Sequence, residues 1–150
     1  MTTVTIHGPL HGKGRPRFAG GHAYTPEATR RYEGEIQAAW LLAGGKRLEG
    51  PVAVDIIAYQ ALPKRASKAL RAAAENGSIW PIRKPDIDNV IKIVLDALNG
   101  YAYNDDTQVV RLDARKEYTP ESESRLVITV KEEQANVRRN EGGCGADDRR

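Results

Sequence analysis

Four acidic side chains come in two close pairs. Asp86 and Asp88 lie in the run Pro85-Asp86-Ile87-Asp88-Asn89, and Asp105 and Asp106 lie in Asn104-Asp105-Asp106-Thr107. Short carboxylates are hard oxygen donors. They suit Mg²⁺, which takes octahedral oxygen coordination and keeps several waters for a substrate to displace. An ion held this way activates water and offsets the charge that grows on phosphoryl oxygens under attack, and two ions about 4 Å apart serve the attacking and the leaving oxygen together. The pairs therefore point to metal-assisted phosphodiester cleavage. Capping is the plainer alternative. Asp86 or Asp88 can cap a helix, and Asp105-Asp106 can shape a turn. That accounts for one acid in each pair but not for two.

Lys92 follows Asp88 by four residues, which puts both on one helical face. An ammonium beside metal-binding carboxylates can meet the scissile phosphate or the leaving oxygen. The same spacing also describes an ordinary helical ion pair worth about 0.3–0.5 kcal/mol. Asp96 falls near an apolar stripe and reads as a brace or a support for the acids, outside the reacting set. His7, His11 and His22 have no carboxylate at ligand spacing, so zinc is not expected.

These residues need elements to hold them. Asp88 to Leu98 carries Val90, Ile91, Val94, Leu95 and Leu98 on one stripe, the pattern of a helix with a buried face, and Asn99-Gly100 ends it. Asp86 just before that helix can converge with Asp88, because residues two apart in an extended stretch point the same way. A helix of about eleven residues is about 16 Å long, so the second pair must fold back through Gly100 to Tyr103 to reach the first.

Thr3 to His7 reads as a strand, and Gly8 to Gly21 as a loop broken by glycines and prolines. Thr25-Pro26-Glu27 starts a helix with Thr25 as N-cap, running to about Ala43 with Tyr32, Ile36, Ala39 and Trp40 at helical spacing. Trp40 is expected in the core. Pro51 to Tyr59 is a strand apolar on both faces, and Ala66 to Asn76 is a short helix. Val109 to Tyr118 and Arg125 to Val130 read as strands joined in an antiparallel hairpin by Thr119-Pro120-Glu121-Ser122. The element order gives an α+β fold, a small mixed sheet with helices on one face. Residues 1–132 make one domain, and the polar, glycine-rich 133–150 make a tail that is expected to be disordered.

The chain of 150 residues carries a net charge of +3 and a pI near 9.1. No apolar run is long enough for a membrane span, and no signal peptide is evident, so a cytoplasmic protein is expected. Cys144, the one cysteine, has no disulfide partner in the chain and lies in the tail. Basic residues cluster at Lys13, Arg15 and Arg17, at Lys64, Arg65, Lys68 and Arg71, and at Arg83 and Lys84. Such clusters are either solvated faces or contacts to nucleic-acid phosphates. Phe18, the one Phe, lies in the first of them and either packs its loop or wedges into a substrate.

The stretch Arg83-Lys84-Pro85-Asp86-Ile87-Asp88-Asn89-Val90-Ile91-Lys92, then Val94-Leu95-Asp96-Ala97-Leu98, then Tyr103-Asn104-Asp105-Asp106-Thr107-Gln108-Val109, resembles the RusA family of Holliday-junction resolvases. Gly14-Arg15-Pro16-Arg17-Phe18 and Tyr24-Thr25-Pro26 are similar to phage and prophage members, and the resemblance covers roughly residues 3–130. It implies a RusA-like fold and a homodimeric, Mg²⁺-dependent endonuclease, with Mn²⁺ as a possible substitute, that resolves four-way DNA junctions by paired symmetric nicks in recombination and repair. It implies metal binding by Asp86, Asp88 and Asp106, a neighbouring acid at Asp105 and an essential lysine at Lys92. Lys13, Arg15, Arg17, Phe18, Lys64, Arg65, Lys68, Arg83 and Lys84 are the expected DNA contacts. The loop from Leu62 to Ile82 is longer than in the shorter members. Alternatives are a nuclease of other branched DNA, a non-catalytic junction-binding protein, and a phosphohydrolase of free nucleotides.

Overall fold

The computed structural model describes residues 1–135; the expected tail at 133–150 and Cys144 fall largely or wholly outside them. Ten elements follow in order. They are β1 (Thr2–His7), β2 (Arg17–Ala19), β3 (His22–Tyr24), α1 (Glu27–Leu42), β4 (Val52–Ala61), α2 (Lys68–Glu75), α3 (Ile87–Leu98), a 3₁₀ turn (Asp106–Gln108), β5 (Val109–Thr119) and β6 (Arg125–Glu132).

Four strands form one mixed sheet in the order β1-β6-β4-β5, in which only β4 and β5 run parallel. One face carries Val4 and Ile6, Val52, Val54, Ile56 and Ala58, and Leu126, Ile128 and Val130, all buried. Helices α1 and α3 cover it with Tyr32, Ile36 and Trp40, and with Val90, Ile93, Val94, Ala97 and Leu98. The opposite face is polar. Thr3 bonds Thr129, Lys131 pairs with Asp55, and the Arg125 guanidinium lies 4.2 Å from the ring centre of Tyr59. The α+β expectation holds, with α1 and α3 on one face.

Three local expectations differ from what is found. The last two strands do not form a hairpin. β4 lies between them, antiparallel to β6 and parallel to β5. The apolar run of β4, with Val52, Ala53, Val54, Ile56 and Ala58 all buried, favours the centre of the sheet, where both of its edges are paired. The stretch 8–21 is not all loop, because Arg17–Ala19 pairs with His22–Tyr24 across Gly20-Gly21. Those glycines have φ of 58° and 78°, the left-handed pair that a two-residue hairpin turn requires. Pro26, not Thr25, occupies the N-cap of α1, and no side chain caps it.

Candidate active site

Helix α3 sets the frame. Asp86 is its N-cap and Asn99 its C-cap, about 20 Å apart along the axis. Asp88, Lys92 and Asp96 are spaced four apart on one exposed or half-exposed face, opposite the buried Val90, Ile93, Val94 and Ala97. An anionic Asp88 in the first turn is favoured by the positive end of the helix dipole.

The second acid pair folds back onto this helix. Tyr103 is fully buried and its hydroxyl donates to the Leu95 carbonyl at 2.8 Å. The Gly100 N–H donates to the Tyr103 carbonyl, and the Leu48 N–H to that of Ala102, both at 2.8 Å. The Asp106 N–H then donates to Asn99 Oδ1 at 3.1 Å, which fixes Asp106 against the C-terminal end of α3. Gln108 ties the loop from the other side. Its Oε1 accepts from the Asn104 and Asp105 N–H groups, and its Nε2 donates to the Leu48 and Gly50 carbonyls, both at 2.9 Å. Gln108→Leu removes all four bonds while keeping the volume. It is expected to cost about 1–3 kcal/mol, the penalty of leaving such groups unpaired, and to lower activity by misplacing Asp105 and Asp106. Thermal melts paired with cleavage rates check this.

Electrostatics join the two ends. The Asp106 carboxyl is held above the ordinary carboxylate range. The largest cause is a hydrogen bond shared with Asp105; burial and the charges of Asp105 and Asp96 add to it, and Lys92 opposes it. Asp106, Asp105, Asp96 and Lys92 therefore share one field. The same three acids, after burial itself, push the Tyr103 phenol up. A raised carboxyl favours the folded state at low pH, and that contribution is lost as pH rises through the raised value. At neutral pH the cluster is a strain on the fold. Asp106→Asn is thus expected to raise the neutral-pH Tm by about 1–2 °C. The gain should shrink toward pH 4, which melting curves at the two pH values would show.

Asp96 is more central than its sequence position suggested. It accepts from Lys13 at 3.1 Å and lies 3.8 Å from Lys92. Lys13 also pairs with Glu33 of α1. Burial alone would lower the Lys13 pKa, but its hydrogen bonds to Glu33 and Asp96 outweigh this and raise it. Lys13 is thereby committed to two internal carboxylates and braces the acid face. Its N–H donates to the Asn89 carbonyl at 2.8 Å, and Gly12 lies so close that an added Cβ would come within 2.7 Å of Asn89 Cβ. A small cleft between His11–Lys13 and Lys84–Asn89 results.

The other expected residues lie as follows. Asp86 pairs with Lys84 at 3.1 Å, at the far end of the helix from Asp106. Arg15, Arg17 and Phe18 are exposed in and beside the β2–β3 hairpin, with Phe18 at 80%, so the Phe18 ring does not pack its loop. Lys64, Arg65 and Lys68 are exposed before and at the start of α2, and Arg83 is exposed before α3. Among the described residues, no three His, Cys, Asp or Glu side chains stand close enough to hold a metal ion alone. Two local acid sets are present instead, Asp86 with Asp88 and Asp106 with Asp105, linked by Lys92 and Asp96. Sequence reasoning missed the tethers Asn99 and Gln108. Gln108 lies inside the family-like motif and Asn99 just past its Leu98, but their partners are remote in sequence or on the backbone.

Residues 7–131 match the family model described as Endodeoxyribonuclease RusA. A protein of Bacillus subtilis (strain 168) printed as "Uncharacterized protein YqaN" is 37% identical over 134 residues, covering 83% of this chain and 92% of that relative.

Proposed function

Because the chain belongs to the RusA endodeoxyribonuclease family, we propose that it is a Mg²⁺-dependent, structure-specific nuclease that resolves four-way DNA junctions by paired symmetric nicks. The observation that carries this reading is the acid face of α3, where Asp88, Lys92 and Asp96 share one side and Asn99 tethers Asp106 to the same helix.

The donor set fits Mg²⁺. Hydrogen bonding to Asp105, burial and the charges of Asp105 and Asp96 hold the Asp106 carboxyl above its ordinary range, a negative field that a cation would relieve. Mg²⁺ commonly takes one or two protein carboxylates and completes its shell with water and substrate phosphate. Asp86, Asp88 and Asp106 are the residues that would hold metal; within one chain Asp86 and Asp88 lie at the start of α3 and Asp106 at its end, so a single ion would not touch all three. When bound, the ion lowers the pKa of a water and polarises the phosphate.

The chain's own groups do the rest. Lys92 is 64% exposed, one helical turn from Asp88 and within the field of Asp106. Its ammonium neutralises charge on the non-bridging or leaving oxygen of the scissile phosphate. Asp96 and Asn99 orient Lys92 and the Asp106 backbone. Arg15, Arg17, Lys64, Arg65, Lys68, Arg83 and Lys84 contact backbone phosphates, which gives salt-dependent affinity with little base readout. Phe18 enters the junction centre. One chain supplies one such acid face, so two matched nicks call for a homodimer whose two-fold axis matches that of the junction.

Labelled four-way junction, flap and linear duplex, each with Mg²⁺ and with EDTA, test the reading. Cutting confined to the junction and lost in EDTA is the expected result. Equal cutting of the flap would replace it with a broader branched-DNA nuclease, and tight junction binding without cutting would replace it with a non-catalytic binder.

A further inference from the structure

Beside the start of α3 lies a groove of about 510 Å³; the mechanism uses Arg83, Lys84 and Asp86 on its rim but leaves Trp80, Ile82, Arg115 and Lys116 without a role. Trp80, Ile82, Arg83 and Lys84 line one side, and Arg115 and Lys116 of β5 line the other. Pro81 is buried and anchors the segment, while Trp80 is 61% and Ile82 93% exposed. Large apolar side chains left in water next to one another mark a binding surface. The charge of the groove selects the occupant. Four cations line it against a single acid, Asp86, and that acid is engaged by Lys84. Arg83 has no carboxylate partner among the described residues, and Lys116 donates to the Arg83 carbonyl, which holds the two walls together. Arg115 is shared between Asp113 and Glu117.

An exposed indole framed by cations is the arrangement that takes unpaired nucleotides, with a base stacked on the ring and phosphates on the basic rim. We propose that Trp80 and the Arg83–Lys84 and Arg115–Lys116 rim form a single-strand subsite that holds an unpaired nucleotide of DNA next to Asp86. The proposal deepens the nuclease reading and rests on it, because a strand opened at a branch would feed from this groove toward the start of α3. The segment is the end of the long connection from Leu62 to Ile82, so the subsite is built from chain that the core of the fold does not require.

The two tryptophans make the test direct. Trp40 is 1% exposed and Trp80 is 61% exposed, so an emission change on adding DNA reports Trp80. The full chain in EDTA is titrated with short oligothymidylate. Quenching is expected, and Trp80→Ala should abolish it and weaken single-strand affinity roughly tenfold, the loss of one base stack. Trp80→Phe, which keeps a ring, should recover much of that affinity. Absence of quenching, or unchanged single-strand affinity in Trp80→Ala, overturns the subsite. So does a shift to smaller particles in sedimentation with DNA affinity unchanged, which would assign the groove to a second copy of the chain. Junction cutting without quenching removes the subsite and leaves the nuclease. Quenching in a chain that cuts no junction removes the nuclease and leaves the subsite.

Discussion

Asp88→Asn is expected to lower junction cutting about a thousandfold, because it takes away several kcal/mol of charge stabilisation, while junction binding stays nearly unchanged. Asp88 is exposed in the first turn of α3 and makes no ion pair among the described residues. The substitution therefore breaks no packing and leaves no partner stranded. Its cost to the fold is the weakened helix-dipole interaction, about 0.3–1 kcal/mol. Binding should survive, because in the proposed reading it depends on basic residues that would contact phosphates without needing the carboxylate. Gel-shift affinity and single-turnover cleavage on one junction separate the two effects. Full cutting by the variant at ordinary Mg²⁺ would remove Asp88 from the site. Loss of binding along with cutting would mean that the acid organises the DNA surface instead.

Trp40→Ala is expected to have the largest effect on stability. The indole is 1% exposed, among Ile36 and the sheet residues, and Gly45 packs so closely on it that an added Cβ would collide with the ring. Truncating a buried Trp costs about 3–5 kcal/mol, a large share of the roughly 5–15 kcal/mol that holds a domain together. A fall in Tm of roughly 10 °C follows for a chain of this size. The site feels the change too. α1 carries Glu33, which pairs with Lys13, and Gln37, whose Nε2 donates to the Ala97 carbonyl of α3 at 3.1 Å. Urea and thermal unfolding measure the loss. A Tm close to that of the parent chain would place the indole outside the core.

What the sequence revealed depended on whether a signal was local. The apolar stripe of α3 is a local pattern, and the structure forms that helix with the stripe inward; the second acid pair folds back only onto its C-terminal end at Asn99, not as far as Asp86 and Asp88. Trp40 was legible as core for the same reason. The sheet order was not, because nothing in Val109–Thr119 or Arg125–Glu132 states that β4 inserts between them. That outcome depends on which strand best tolerates burial on both faces. Gly20-Gly21 read as a break in a loop, whereas the left-handed backbone at both residues makes it the turn of the β2–β3 hairpin. Within the site, spacing put Lys92 on the Asp88 face. It could not show Lys13 reaching Asp96, or Gln108 reaching the Leu48 and Gly50 carbonyls, since those contacts join segments far apart in sequence. Lys13 shows the limit most clearly, because its place in a basic cluster suggested a DNA contact and its partners in the fold are the carboxylates of Glu33 and Asp96.

A supercoiled plasmid that extrudes a cruciform tests the central claim most directly. The chain is added with Mg²⁺ and the products are separated as nicked circles and linear molecules. Paired nicks made across the junction in one encounter turn supercoiled DNA straight into linear DNA. EDTA and Asp88→Asn should each leave it supercoiled. Accumulation of nicked circles without linear product, or linear product undiminished in EDTA, would contradict a metal-dependent resolvase.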